Sequence, residues 1–181
     1  FINVVRQGIR LKQVTPDNKV RVITFNYDTI LEQVLDAQFS NTESQYGNWE
    51  QYIEIVHVHG HFPRLQPAGT KAEDFAKNIL VWANGIQVVH ETTVAQHVLV
   101  ARERARVLAS NAREIYATGF AFGASNCKLL GLDTQPPWTG KRTLVYCNWN
   151  GDIGVQKSVE RIARWTNPKT SIDPGNGTRD N

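Results

Sequence analysis

The chain has 181 residues, of which 41% are hydrophobic and 20% charged, so it carries enough apolar side chain for a core and is not a wholly disordered polymer. It has no apolar run near the roughly 20 residues of a membrane-spanning helix and no signal-peptide pattern at its start, so we expect a cytoplasmic protein without membrane association. Its two cysteines are too few for a four-cysteine zinc site. The formal net charge is only +3, and the densest basic cluster consists of Arg102, Arg104, Arg106 and Arg113. This cluster alternates with glutamates and contains no nucleic-acid motif, so we expect it to be a solvated helix face, and we expect no nucleic-acid partner for this domain alone.

Short β-branched runs alternate with amphipathic runs in the first half of the chain. Residues 20–25 predict a strand, and residues 30–39 predict a helix that begins with a capping box formed by Thr29 and Glu32. Residues 53–58 predict a second strand, which ends at the sequence His59-Gly60-His61. Two further short strands are predicted at residues 78–83 and 86–89, with a turn between them.

The same alternation continues in the second half. Residues 94–112 predict a long helix, residues 115–118 a strand that ends at Gly119, and residues 127–130 a brief helix. After a proline-rich connection, residues 143–147 predict the last strand and residues 155–162 the last helix. We therefore predict one domain over residues 1–165 and a polar tail or linker over residues 166–181.

Strands that alternate with helices favour an α/β fold with a mainly parallel sheet and helices on both faces. In such sheets, ligands bind beyond the carboxyl ends of the strands. Four predicted strands end in clusters rich in polar residues or glycine, and in one parallel sheet all four would line the same edge: residues 26–28, 59–61, 119–123 and 148–150. The sequence therefore predicts a ligand site at this edge.

Individual residues of these clusters have alternative interpretations. Asp28 could cap the helix, but the predicted capping box leaves it free to face a ligand. Three alternating histidines, His57, His59 and His61, could bind zinc, although residues along one strand spread apart rather than surround an ion. We favour His59 as a general base, with an ordinary hydrogen-bonded histidine as its alternative. Glu32 and Asp36, spaced like a glycosidase carboxylate pair, are interpreted as solvated helix residues.

Three motifs resemble those of sirtuin-like NAD-handling domains, especially those of bacterial defence proteins. The first is Ile-Thr-Phe-Asn-Tyr-Asp at residues 23–28, followed by Leu31 and Glu32. The second is Val58-His59-Gly60, and the third is the segment at residues 115–122 with Asn126. Their order and approximate spacing agree with that family from about residue 20 to residue 165.

The resemblance implies a Rossmann-like fold that cleaves the bond between nicotinamide and ribose in NAD, without a metal. By this resemblance Asn26 holds the ribose or the attacking water, Asp28 engages the nicotinamide carboxamide, and His59 is the base. Further contacts to NAD, or to an ADP-ribose-type nucleotide, are implied for Thr24, Phe25, Gly60, Gly119, Phe120, Ala121 and Asn148. The domain would be the effector of a larger protein or complex in anti-phage defence.

Departures from the family pattern suggest two other functions. Only 19 residues precede Val20, so the glycine-rich phosphate turn of the family is absent, and the chain, which has no Met, is expected to lack its beginning. Two cysteines cannot build the zinc module of sirtuin deacylases, so deacylation is not expected. Ala121 replaces the usual hydroxyl or glycine, which suggests a catalytically silent nucleotide-sensing or assembly module. A weaker alternative is a metal-dependent hydrolase that uses the three histidines.

Overall fold

The computed structural model describes residues 1–40, 46–62, 94–133, 143–147, 152–166 and 171–173, together with Ile79, Ala83 and Ile86. The chain divides into two compact units, residues Phe1–Glu103 and Arg104–Asn181, and the division falls within one long helix.

The first unit is built around two parallel strands. Its elements are α1 (Ile2–Arg10), β1 (Val20–Thr24), α2 (Ile30–Ser40), a short 3-10 helix (Trp49–Gln51), β2 (Ile53–His57) and the start of α3 (Gln96–Asn111). β1 and β2 pair in parallel, from Val20 opposite Ile53 to Thr24 opposite His57. The strands predicted at residues 20–25 and 53–58 and the helix predicted at residues 30–39 are confirmed, whereas α1 and the 3-10 helix had not been predicted.

The core of the first unit joins both strands to α1, α2 and the 3-10 helix. Leu35 and Phe39 are four residues apart on α2, so they lie on one face of the helix and pack with Trp49 and Ile53. Val5 of α1 completes this buried cluster. The indole Nε1 of Trp49 also donates a hydrogen bond of 2.7 Å to a carboxylate of α2, that of Asp36. The core therefore holds α2 in a fixed position against the sheet.

The second unit contains a three-stranded parallel sheet. After the remainder of α3 come β3 (Glu114–Ala117), α4 (Ala124–Leu129), β4 (Thr143–Tyr146), α5 (Ile153–Thr166) and β5 (Ser171–Asp173). The strand order is β3-β4-β5, and both pairings are parallel. The predicted elements at residues 115–118, 127–130, 143–147 and 155–162 are thus confirmed. β5 lies in the segment that had been predicted to be a polar tail.

The structure is a mixed α/β arrangement with small parallel sheets. One continuous sheet had been predicted, but the described residues form two sheets, of two and three strands. The described residues therefore do not confirm the prediction that one sheet edge carries all four polar clusters. The reason is that sequence periodicity identifies strands without specifying which strands pair.

Two predicted strands fall largely outside the described residues. Of residues 78–83 and 86–89, the structure describes Ile79 and Ala83, which are helical, and Ile86, which forms an antiparallel bridge with Gly60. Within the described ranges, no helix is both long enough and apolar enough to cross a membrane.

Leu35→Ala should lower the free energy of unfolding by about 2 to 5 kcal/mol, because Leu35 is fully buried in the core of the first unit and the smaller side chain leaves a cavity. Val34→Ala, one residue earlier on the exposed side of α2, should change it by less than about 0.5 kcal/mol. Urea denaturation measures both values. Equal losses in the two variants would contradict the described packing of α2.

Candidate functional site

The backbone groups of residues 25–28, the segment that follows β1, form hydrogen bonds with neighbouring residues. The amide of Asn26 donates to Oγ1 of Thr24 at 3.1 Å. The carbonyl oxygen of Tyr27 accepts a hydrogen bond of 2.8 Å from the amide of Phe62, beyond the end of β2. The segment after β1 and the segment after β2 are therefore fastened to each other at the carboxyl edge of the sheet.

Asp28 lies at the start of α2 and is exposed. Its Oδ1 accepts a hydrogen bond of 3.2 Å from the amide of Ile30, so this carboxylate serves the first turn of the helix. The predicted capping box of Thr29 and Glu32 is wrong, because the Glu32 carboxylate contacts His57 instead. A charge-assisted bond to a buried imidazole is stronger than a bond to a solvated backbone amide, which accounts for this choice.

His59 lies directly beyond β2 and is only 5% exposed. Its ring centroid is 5.5 Å from that of Phe25 and 6.1 Å from that of Tyr27. Gly60, the next residue, has a φ of +77°, a left-handed conformation that favours glycine at this turn. The chain therefore turns directly after His59, with aromatic residues from the segment after β1 around the imidazole.

Arg102 of α3 determines the hydrogen-bonding state of His59. Its Nη2 is 3.2 Å from Nδ1 of His59, and its Nε donates a bond of 3.3 Å to the carbonyl oxygen of Val58. Because a guanidinium group only donates, Nδ1 accepts and the ring proton is on Nε2. Burial, and secondarily the positive charge of Arg102, lower the pKa of His59 below its usual range. His59 thus presents an N–H group.

His57, the last residue of β2, forms a different and more buried network. Its Nδ1 is 3.0 Å from the carbonyl oxygen of Asn26, and its Nε2 is 2.6 Å from Oε1 of Glu32. His57 and Glu32 are each 7% exposed, and Oε2 of Glu32 is buried without a hydrogen-bond partner in the part of the chain that the structure describes. Both ring nitrogens of His57 are therefore already engaged.

The three-histidine zinc hypothesis finds no support in this geometry. The ring of His61 is 4.8 Å from that of His57 between centroids, but neither nitrogen of His57 has a lone pair directed toward a shared ion. In the ranges that the structure describes, no group of three histidine, cysteine, aspartate or glutamate side chains is arranged to hold a metal.

The remaining predicted contact residues lie in the second unit or outside the described residues. Gly119 and Ala121 are exposed and Phe120 is half-buried, in the turn between β3 and α4. Gly119 has a φ of +64°, which explains the glycine there without a ligand. Asn148 lies outside the described residues. The first unit thus brings together the other predicted residues, Thr24, Phe25, Asn26, Asp28, His59 and Gly60.

The sequence interpretation places two side chains of this site, those of Arg102 and Glu32, on the solvated surface, whereas the structure has them bonded to His59 and His57. Arg102 is four residues after buried Val98 and three before buried Ala105, so its spacing predicts the inner stripe of α3. Glu32 is likewise three residues before buried Leu35. A charged residue on an apolar stripe is the signal that could have identified both.

The free energy of unfolding should rise as the pH increases from about 5 to about 7, partly because of His59. A folded-state pKa below the usual value of about 6.5 means that the unfolded chain binds the proton more tightly, so acid favours unfolding in this range. His59→Asn should reduce the rise, whereas His97→Asn, at an exposed position of α3, should preserve it. Denaturant titrations across this pH range measure the effect. An identical pH dependence in His59→Asn and the unmodified chain would contradict the assigned burial.

Comparison with known proteins adds no relative to this description of the site. The chain matches no protein-family model, no curated protein and no solved structure. The function is therefore argued from the residues at the carboxyl ends of β1 and β2.

Proposed function

We propose that the chain binds NAD and cleaves its nicotinamide–ribose bond. The observation that supports this proposal is the arrangement of Asn26, Asp28 and His59 at the carboxyl ends of two adjacent parallel strands. That edge is where α/β sheets bind ligands. The two segments are in direct contact, through the bond between Phe62 and Tyr27 and the rings of Phe25 and His59.

The residue types fit the proposed reaction. The bond between C1′ of the ribose and the pyridinium nitrogen breaks, its electron pair stays with nicotinamide, and the sugar becomes oxocarbenium-like. Water attacks C1′ and loses a proton, which yields ADP-ribose. The amide of Asn26 can orient the ribose or the water, and the carboxylate of Asp28 can bind the carboxamide N–H or stabilise the positive sugar.

His59 contributes in one of two ways, and Arg102 decides which. With Arg102 on Nδ1, His59 donates a hydrogen bond from Nε2, for example to a ribose oxygen. As a base toward water it needs a lone pair on Nε2, so Arg102 must release Nδ1 and the ring proton must move there. Ligand binding that draws the guanidinium away would satisfy this condition.

The same contact favours the second candidate function, a nucleotide-binding module without turnover. A neutral imidazole held as a donor, with its pKa lowered by burial and by Arg102, is a weak base but a good hydrogen-bond donor to a ribose hydroxyl. The two candidate functions share one ligand and differ in whether the contact between Arg102 and His59 persists in the complex.

The wider parts of the proposal rest on the resemblance to sirtuin-like domains. They are a Rossmann-like fold and a role as the effector of a larger protein or complex in bacterial defence, and the sequence composition adds a cytoplasmic location to the proposal. The resemblance also supports nucleotide contacts by Gly119, Phe120, Ala121 and Asn148.

Incubation of the unmodified protein with NAD should release free nicotinamide, which chromatography measures. Asn26→Ala, Asp28→Ala and His59→Ala should each reduce the rate by about 100-fold or more, because each removes a group that acts on the ribose, the nicotinamide or the water. Asp17→Ala is the matched control, since Asp17 is an exposed carboxylate before the amino end of β1. It should leave the rate unchanged.

Calorimetry with NAD and ADP-ribose separates the two candidate functions. Binding of either nucleotide without nicotinamide release supports the module. Neither binding nor release by the unmodified protein contradicts both, and equal losses in Asp17→Ala and Asp28→Ala contradict the assigned site.

A further inference from the structure

The network of Glu32 and His57 lies directly behind the segment that carries Asn26. A backbone carbonyl oxygen only accepts, so the contact of 3.0 Å between His57 and Asn26 requires a proton on Nδ1 of His57. His57 therefore acts as a fixed donor that ties the Asn26 carbonyl to the end of β2.

The proton between His57 and Glu32 does not disturb this donor. At 2.6 Å, either a charged imidazolium donates from Nε2 to the Glu32 carboxylate, or a protonated Glu32 donates to a neutral imidazole. In both cases Nδ1 keeps its proton and its bond to Asn26. Glu32 thus holds the ring in the orientation in which Nδ1 donates to the Asn26 carbonyl.

The burial of the pair argues against stability as its main contribution. Two ionisable groups lie in the interior, and among the described residues Oε2 of Glu32 is buried with no hydrogen-bond partner. Buried ion pairs are often no more stabilising than apolar side chains of similar volume, and an unsatisfied oxygen adds a cost. If the pair of Glu32 and His57 lowers the stability of the fold, its presence is explained by the position in which it holds the Asn26 carbonyl.

We propose that Glu32 and His57 are positioning residues for the nucleotide site, which fix the backbone at Asn26 so that its side chain meets the ribose in one orientation. The inference rests on the proposed function, because Asn26 is the group that acts on the ligand. Neither Glu32 nor His57 touches the nucleotide in this proposal. Their effect reaches it through the hydrogen bond to the Asn26 carbonyl and through the bond of Asn26 to Thr24.

Helix α2 offers a matched control for this proposal. Asp36, one turn after Glu32, also accepts a short hydrogen bond from a ring N–H, that of Trp49 at 2.7 Å. Asp36→Ala removes a comparable carboxylate contact from the same helix but leaves the bond between His57 and Asn26 in place. The two alanine variants therefore separate loss of stability from loss of positioning.

Glu32→Ala should weaken NAD binding about tenfold or more at equal folded fraction, which is similar to the effect of removing the residue that orients a metal ligand. Asp36→Ala should change NAD affinity less than about twofold, even if it lowers the free energy of unfolding as much. Glu32→Gln should retain most of the affinity, because its amide can donate to Nε2 of His57 and so preserve the proton on Nδ1. Calorimetry measures affinity, and denaturation measures stability.

Amide hydrogen exchange provides a second measurement that does not require NAD. The amide protons of Asn26 and Phe62 should exchange faster in Glu32→Ala than in Asp36→Ala. Both amides belong to the segments that follow β1 and β2 and donate hydrogen bonds there. If Glu32→Ala does not fold, Glu32→Asp takes its place, because the side chain is one methylene group too short to reach His57.

The possible outcomes keep the two proposals distinct. If the unmodified protein binds NAD and the two alanine variants lose affinity equally, the positioning role is overturned and the proposed function stands. Unchanged exchange at Asn26 and Phe62 in Glu32→Ala also overturns it. If the unmodified protein neither binds nor cleaves NAD, the proposed function fails and this inference fails with it.

Discussion

The parallel register of β1 and β2 is the constraint on which the rest of the candidate site depends. Because Thr24 lies opposite His57, the residues that follow each strand emerge at the same edge of the sheet. An antiparallel pairing, or a different register, would separate Asn26 from both histidines. The core formed by Val5, Leu35, Phe39, Trp49 and Ile53 fixes α2 against these strands, and this packing brings the Glu32 side chain to the end of β2.

Two histidines, two residues apart, have opposite electrostatic surroundings in this arrangement. His57 faces the carboxylate of Glu32 from α2, whereas His59 faces the guanidinium of Arg102 from α3. A carboxylate can share or stabilise an imidazole proton, while a guanidinium opposes the addition of one. The first histidine is therefore suited to donate a hydrogen bond from a fixed position, and the second to remain neutral.

Periodicity in the sequence was sufficient to identify most of the strands and helices, because β-branched runs such as residues 20–24 and apolar spacing such as Leu31, Leu35 and Phe39 report local structure. It could not predict that β1 pairs with β2 in one sheet while β3, β4 and β5 form another, since strand pairing depends on packing between distant segments. The elements that had not been predicted, α1, the 3-10 helix and β5, are short. Val5 of α1 is buried by packing with residues of α2 and β2, which are distant along the chain.

The residues of the site show the same division between local and distant information. Asn26, Asp28 and His59 could be proposed because they directly follow predicted strands. The partners of the two histidines could not be proposed from the sequence, since Glu32 is 25 residues from His57 and Arg102 is 43 residues from His59 along the chain. Assigning Glu32 to a capping box failed for this reason, because its local partner was visible in the sequence and its stronger distant partner was not.

The position of Arg102 has a consequence for how the site could be controlled. Its guanidinium bridges the Val58 carbonyl and His59, so any movement of this part of α3 changes the hydrogen bonding of the imidazole directly. The bond to Nδ1 is 3.2 Å long and the bond to Val58 is 3.3 Å, both at the long end of the usual range for hydrogen bonds. An anionic group such as a pyrophosphate competes well for a guanidinium that is held by two long bonds to neutral acceptors. Nucleotide binding and the release of His59 as a base would then be one event, in which the ligand itself converts a hydrogen-bond donor into a proton acceptor.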